Sequence, residues 1–153
     1  MEIYKAEASD LRTVKEIAHA AIKAVYPHYY PEGAVEFFLA HHCDENILRD
    51  IDKGRVYLLR NDEGCDVGTV TVADNEMTRL FVLPEYQGKG YGSLLIGFAE
   101  QRIAEDHDTI MLDASFPAKA IYLKKGYSFV SYHSIDCSNG DKLCYDGMIK
   151  CIK

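Results

Sequence analysis

The sequence predicts a mixed α/β domain, on three observations. Apolar residues between Leu11 and Val25 recur at helical spacing. From Arg55 to Leu83 the pattern changes to short apolar runs broken by turn residues, which is the signature of strands. Beyond Gly92, helical and strand-like segments alternate. No linker, repeat or low-complexity tail interrupts the 153 residues, so one domain with a sizeable core is expected over 1–153.

Ile3-Tyr4-Lys5-Ala6 opens as a short strand. Ser9 or Asp10 caps the first helix, whose apolar face carries Leu11, Val14, Ile17, Ala18, Ala21, Ile22 and Val25. Tyr26-Pro27 breaks it, and Pro31 fits the first turn of a second helix bearing Val35, Phe38 and Leu39. The polar segment from His41 to Asn46 separates this from a short helix around Ile47, Leu48 and Ile51. Arg55 to Leu59 and Val67 to Val72 form two strands joined by Asn61-Asp62-Glu63-Gly64, a run with hairpin-turn chemistry. Asp74-Asn75 turns tightly into Met77 to Leu83, which Pro84 stops by removing a ladder donor. A helix follows with Tyr91, Leu94, Leu95, Phe98, Ala99 and Ile103 on its apolar side. Thr109 to Leu112 reads as a buried strand, and Pro117 to Lys125 as a short helix capped by Gly126. Tyr127 to Val130 and Leu143 to Tyr145 close the domain as strands joined through Asn139-Gly140.

The formal net charge of -7 argues against a general nucleic-acid binder, because grip on a phosphate backbone needs a basic surface. It tolerates a cationic or amine-bearing partner. The opening residues lack a secretory leader and no apolar run reaches membrane-spanning length. The five scattered cysteines point to a reducing, cytoplasmic setting and supply no paired metal knuckle. His41-His42-Cys43-Asp44 holds donor types in adjacency, which reads as a loop or helix end, so no metal is expected.

Between the strand ending at Leu83 and the next helix lies Gln87-Gly88-Lys89-Gly90-Tyr91-Gly92. Three glycines and no acidic side chain leave the first helical amides uncovered. Such an end suits phosphate, since those N–H groups lack internal partners and the helix field favours an anion. Lys89 adds a positive group, Gln87 can donate a hydrogen bond, and Ser93 can add a hydroxyl in the first turn. The order of residues is wrong for a P-loop, and the dinucleotide fingerprint would need a glycine at Ser93.

A second pattern joins the first. Ala118, Tyr122, Gly126 and Tyr127 stand at spacings of four, four and one. With Gln87, Gly90 and Gly92 they resemble the GCN5-related N-acetyltransferases, which move an acyl group from acyl-coenzyme A, usually to an amine. Leu80-Phe81-Val82 is similar to the strand of that family that holds the pantetheine arm. The resemblance covers nearly the whole chain. It implies a mostly antiparallel sheet flanked by helices, with a splayed parallel-strand gap that admits acetyl-coenzyme A. It also implies a diphosphate on Gln87, Gly88, Lys89, Gly90, Tyr91, Gly92 and Ser93. One departure is visible: where many relatives have asparagine, this chain has Ser115, whose reach toward the cofactor arm differs.

By the same resemblance Tyr122 is the general acid that protonates the departing thiolate. Its phenol keeps its proton at neutral pH, with an ordinary pKa of about 10. The base is Glu76, Asp74, Asp113 or a water relay, with Glu76 leading. The acceptor wall is expected from the connection of the first two helices, with Tyr29, Tyr30 and Glu32 as its candidate contacts. A small-molecule amine is the favoured acceptor; a peptide amine and a protein lysine stay open, as does a homodimer. An inactive acyl-coenzyme A binding or regulatory module is the first alternative. A protein-interaction module is the second, but it leaves the two motifs unexplained.

Overall fold

A computed structural model describes residues 1–152. Seven strands form one sheet in the order β1-β2-β3-β4-β5-β7-β6. They are β1 Glu2–Lys5, β2 Val56–Arg60, β3 Asp66–Ala73, β4 Glu76–Val82, β5 Thr109–Ala114, β6 Ser128–Asp136 and β7 Lys142–Cys151. The helices are α1 Leu11–Val25, α2 Glu32–His41, α3 Asp44–Asp52, α4 Tyr91–Ala104 and α5 Lys119–Lys124. Every neighbouring pair of strands runs antiparallel except β4 and β5. The mixed, mostly antiparallel sheet flanked by helices is therefore the one expected.

Alternation along β2 shows how the sheet acquires two buried faces. Val56 and Leu58 join the cluster under α1, α2 and α3, with Val14, Ile17, Ile22, Ala34 and Ile47. Tyr57 and Leu59 join the opposite cluster, with Leu95, Ile96, Ala99 and Ile103 of α4. Gly68 permits the close approach of α4 to β3: a Cβ there would stand 2.8 Å from a Leu95 methyl. No helix among the described residues is long and apolar enough to cross a membrane.

Local details depart from the sequence expectations. Pro31 lies at the N-cap of α2, outside the helix. Asp10 occupies the N-cap of α1 without a capping bond; its carboxylate accepts from the Glu7 N–H instead. The polar segment His41 to Asn46 is mostly helical, since His41 ends α2 and Asp44 starts α3. Asp44 and Glu45 are well placed in that first turn because acids there complement the helix dipole. The closing strands extend far beyond Val130 and Tyr145. Their polar residues pair across a long hairpin, where main-chain bonds and not apolar pattern set the length.

The feature that shapes the sheet interior is a bulge in β4. Thr69 faces Phe81 and Thr71 faces Thr78, so β4 carries one residue more than β3 over that stretch. Arg79, in the bulge, has φ of 46°, in the left-handed region. Its buried guanidinium donates to Thr71 Oγ1 at 2.9 Å and to His42 Nδ1 at 3.1 Å, and it pairs with Asp50 at 3.0 Å. Accepting at Nδ1 fixes the His42 ring as neutral, with its proton on Nε2. Burial first, then the Arg79 charge, push the His42 pKa down to about 3.

This shift sets an acid dependence of stability. Unfolded, the imidazole binds a proton below about pH 6.5; folded, it does so only near pH 3. The neutral ring's contribution is complete above the unfolded value and is lost as pH falls from there toward 3. His42→Gln retains an acceptor for Arg79 and removes the titration. Urea unfolding between pH 7 and 4 should show a slope shallower by about one proton in the variant; parallel slopes would rule the effect out.

Candidate active site

After one bridge, Glu76 to Met111, β4 and β5 separate. The Met111 N–H bonds to the Asn75 carbonyl at 2.9 Å, at the closed end of the resulting gap. Beyond it β4 pairs only with β3, and β5 pairs along its length with β7. Two cavities occupy the opening. One of about 410 Å³ runs from Leu80, Phe81 and Val82 to the glycine loop. The other, of about 280 Å³, lies toward α2, β6 and β7. Tyr26, Leu80, Phe81, Ser115, Ala118 and Tyr122 belong to both, so the cavities meet at these residues.

The larger cavity ends on an uncovered helix entrance. Gly88 and Gly90 adopt φ of 77° and 91°, which lets the chain turn from Gln87 into α4 without a side-chain cap. The first α4 bond here runs from the Leu94 N–H to the Gly90 carbonyl, leaving the amides of Tyr91, Gly92 and Ser93 ahead of it. No acid occupies the first turn, and a Cβ at Gly88, Gly90 or Gly92 would meet nothing within 4 Å. Open space, bare N–H groups and a positive helix end together fit a diphosphate.

Of the residues expected around the cofactor, Leu80, Phe81, Val82, Gln87, Gly88, Gly90, Gly92, Ser93 and Ser115 line this cavity. Lys89 and Tyr91 do not. Lys89 lies exposed with its ammonium 5.3 Å from the Tyr86 ring centre, and Tyr91 packs edge-on against the same ring. The Gln87 side chain donates to the Val82 carbonyl at 2.9 Å, so it fastens the loop to β4. Ser115 is buried and its Oγ accepts from the Tyr26 hydroxyl at 3.2 Å.

Tyr122 sits on α5, where the cavities join. It packs edge-on against Tyr127, with ring centres 5.5 Å apart. Burial, with smaller contributions from Tyr26 and Tyr127, raises its pKa well above that of an ordinary phenol. The hydroxyl is therefore firmly protonated at neutral pH.

The expected acceptor contacts are not brought to either cavity. Tyr29 is half exposed, and Glu32 is exposed at the start of α2. Tyr30 is buried and structural: its hydroxyl accepts from the Phe116 N–H at 2.7 Å and donates to the Cys144 carbonyl at 3.3 Å. Glu76 is exposed near the closed end and lines neither cavity. Burial, then Asp113 and Asp74, raise its carboxyl pKa. Asp113 does line the smaller cavity. Asp74, at φ of 55°, belongs to the turn between β3 and β4.

Tyr26, in the connection expected to build the acceptor wall, lines both cavities; Phe37, His42 and Arg79, which the sequence does not single out as cavity residues, line the smaller one. Tyr26 had a signal, since it stands four residues after Ile22 on the buried side of α1. Arg79 had one too: it alternates with Met77 and Phe81, which period-two spacing sends inward. Phe37 and His42 carried none, because both lie off the inward positions Val35, Phe38 and Leu39 of α2. The described residues contain no group of three or more His, Cys, Asp or Glu able to hold a metal ion.

No curated protein matches this chain by sequence. In structure it is similar to a GCN5-related N-acetyltransferase from Rhodopseudomonas palustris, at a TM-score of 0.88 and 22% identity over 98% of this chain and 94% of that one. PaiA N-acetyltransferase from Thermoplasma acidophilum, solved in complex with coenzyme A, superimposes at 0.74 with 22% identity over 98% of both chains. YncA from Salmonella typhimurium, solved with its cofactor acetyl-coenzyme A, superimposes at 0.66 with 15% identity over 100% of this chain and 94% of that one. These likenesses establish a shared fold. The family model described as acetyltransferase (GNAT) domain matches residues 25–140, and with that stretch spanning well over half of its length, the chain belongs to the GNAT acetyltransferase family.

Proposed function

We propose that residues 1–153 form a single acyl-coenzyme A N-acyltransferase domain that transfers an acetyl group directly to the amine of a small molecule. The observation that carries this reading is Tyr122, a buried and firmly protonated phenol at the junction of the two cavities. Two cavities meeting at a proton donor is the arrangement that direct transfer between two substrates requires. The structural relatives solved with coenzyme A and acetyl-coenzyme A support the choice of donor. Five free cysteines accord with a reducing, cytoplasmic setting.

Acetyl-coenzyme A, when bound, supplies a thioester carbon open to attack and a sulfur that leaves as thiolate. The amides of Tyr91, Gly92 and Ser93 hold the diphosphate, with Gly88 and Gly90 shaping the approach and Lys89 adding charge at the rim. Backbone groups of Leu80, Phe81 and Val82 on the unpaired edge of β4 orient the pantetheine arm and offer donors where negative charge develops. Gln87 keeps that edge and the loop in register through the Val82 carbonyl. Ser115 shares the arm's path with Tyr26. Tyr122 holds its proton on the phenol oxygen for delivery to sulfur. Glu76 takes the amine's proton through water, since its carboxyl stands outside the acceptor cavity.

Tyr122→Phe should lower kcat by about a hundredfold or more while coenzyme A affinity stays within about twofold. Thiol release and calorimetric titration check the two halves, and an unchanged kcat would rule out the acid role. Gly90→Val must abandon φ of 91° and crowd the helix entrance. Coenzyme A should then bind about tenfold more weakly; an unaltered Kd would remove the loop from the binding site.

A further inference from the structure

We infer that the acceptor is a monoamine bearing an aromatic or compact apolar ring on a short chain, an inference that rests on the N-acetyltransfer reading above. The smaller cavity, about 280 Å³, is walled by Phe37, Phe38, Phe81, Ile135, Leu143 and Tyr145. That volume lies at the low end for small-molecule sites. It suits one ring and a short chain. Phe38 is fixed edge-on against Tyr26 at 4.7 Å and Phe81 edge-on against His42 at 5.2 Å. Rings held at such angles offer faces and edges to a further ring. Phe37 is 37% exposed and stacks only on His41, which leaves it available at the cavity rim.

The charges in this cavity are few and specific. Among the described lining residues, Asp113 is the one carboxylate and Arg79 the one arginine or lysine. Arg79 is already paired with Asp50. Burial of His42 and partial desolvation of the more exposed His41, each reinforced by the Arg79 charge, lower both imidazole pKa values. An arriving ammonium therefore has one anionic partner, Asp113. A second ammonium further along the molecule, as in a polyamine, would lie among phenyl rings and near Arg79 with no carboxylate to meet it. Burying a charge so is strongly unfavourable. A peptide would bring main-chain amides against the same apolar walls, with few groups to satisfy them.

In the reaction the bound ammonium gives one proton through water to Glu76, which passes it to solvent, and its nitrogen bonds to the acetyl carbon. The C–S bond breaks with its electron pair on sulfur, which takes a proton from the Tyr122 hydroxyl. The nitrogen's second proton returns to the Tyr122 phenolate, so the products are a secondary amide, the free thiol of coenzyme A and one released proton.

The full chain would be assayed for thiol release from acetyl-coenzyme A with 2-phenylethylamine, propylamine, spermidine and a capped lysine peptide. The expected kcat/KM for 2-phenylethylamine exceeds those for spermidine and the peptide by about tenfold or more, equivalent to about 1.4 kcal/mol. Phe37→Ala should lower the value for 2-phenylethylamine about fivefold and leave propylamine within about twofold, because the lost contact is to the ring. Spermidine or peptide matching 2-phenylethylamine would overturn the inference while leaving N-acetyltransfer intact. An equal loss for both monoamines in Phe37→Ala would overturn it as well. Coenzyme A binding without thiol release for any amine would overturn the functional reading and this inference together.

Discussion

Both cavities depend on the conformation of Arg79. A residue with a side chain at φ of 46° costs about 1–2 kcal/mol relative to ordinary backbone. The cost is offset by three partners on three elements: Thr71 on β3, His42 after α2 and Asp50 on α3. The extra residue bends β4 and ends its alignment with β5. Straight parallel strands would continue an evenly spaced ladder and leave no gap. The pairing of buried Arg79 with Asp50 of α3 thus governs whether anything can enter between β4 and β5.

The bulge alone would leave two half-sheets free to close. They are held apart because each is committed elsewhere. β4 is fastened to β3 on one side, and its end is tied to the glycine loop through Gln87 and Val82. β5 is paired with β7 over six residues, from Thr109 to Ala114. The two hydrophobic clusters then brace opposite faces, with α1 across one and α4 across the other. Neither half can shift toward its neighbour without losing packed apolar surface.

What the sequence made legible follows from where each element gets its stability. α1, α4 and β2 to β5 bury apolar residues at fixed periods, and those periods appear in one dimension. The glycine loop is equally legible, because positive φ and bare amides demand glycine at fixed offsets from a helix start. β6 runs longer than its apolar pattern indicates because its residues are almost all exposed and its length is set by pairing with β7. Most of the smaller cavity's lining is hidden in the sequence for a related reason. Tyr29, Tyr30 and Glu32 are adjacent in sequence, but the cavity draws on α2, β4, β5, β6 and β7. A wall assembled from one or two residues of each element leaves no local pattern. Tyr30 shows the difference well: its hydroxyl bridges Phe116 and Cys144 and so builds the wall's support without facing the cavity.

Taken alone, the burial of Tyr122 works against the acid role proposed for it, since a phenol with a raised pKa gives up its proton less readily. The acceptor of that proton is subject to the same environment. A thiol has an ordinary pKa of about 8.5, and its thiolate is also an anion, so loss of water raises its basicity as it raises that of phenolate. The two values move together, so the small gap between them survives the desolvation. What burial removes is the competing reaction in which solvent protonates the sulfur or attacks the thioester. A tyrosine on the surface would keep its ordinary pKa and lose that protection. The placement of Tyr122 where the cavities join, packed against Tyr127, is the one the proposed acid role requires.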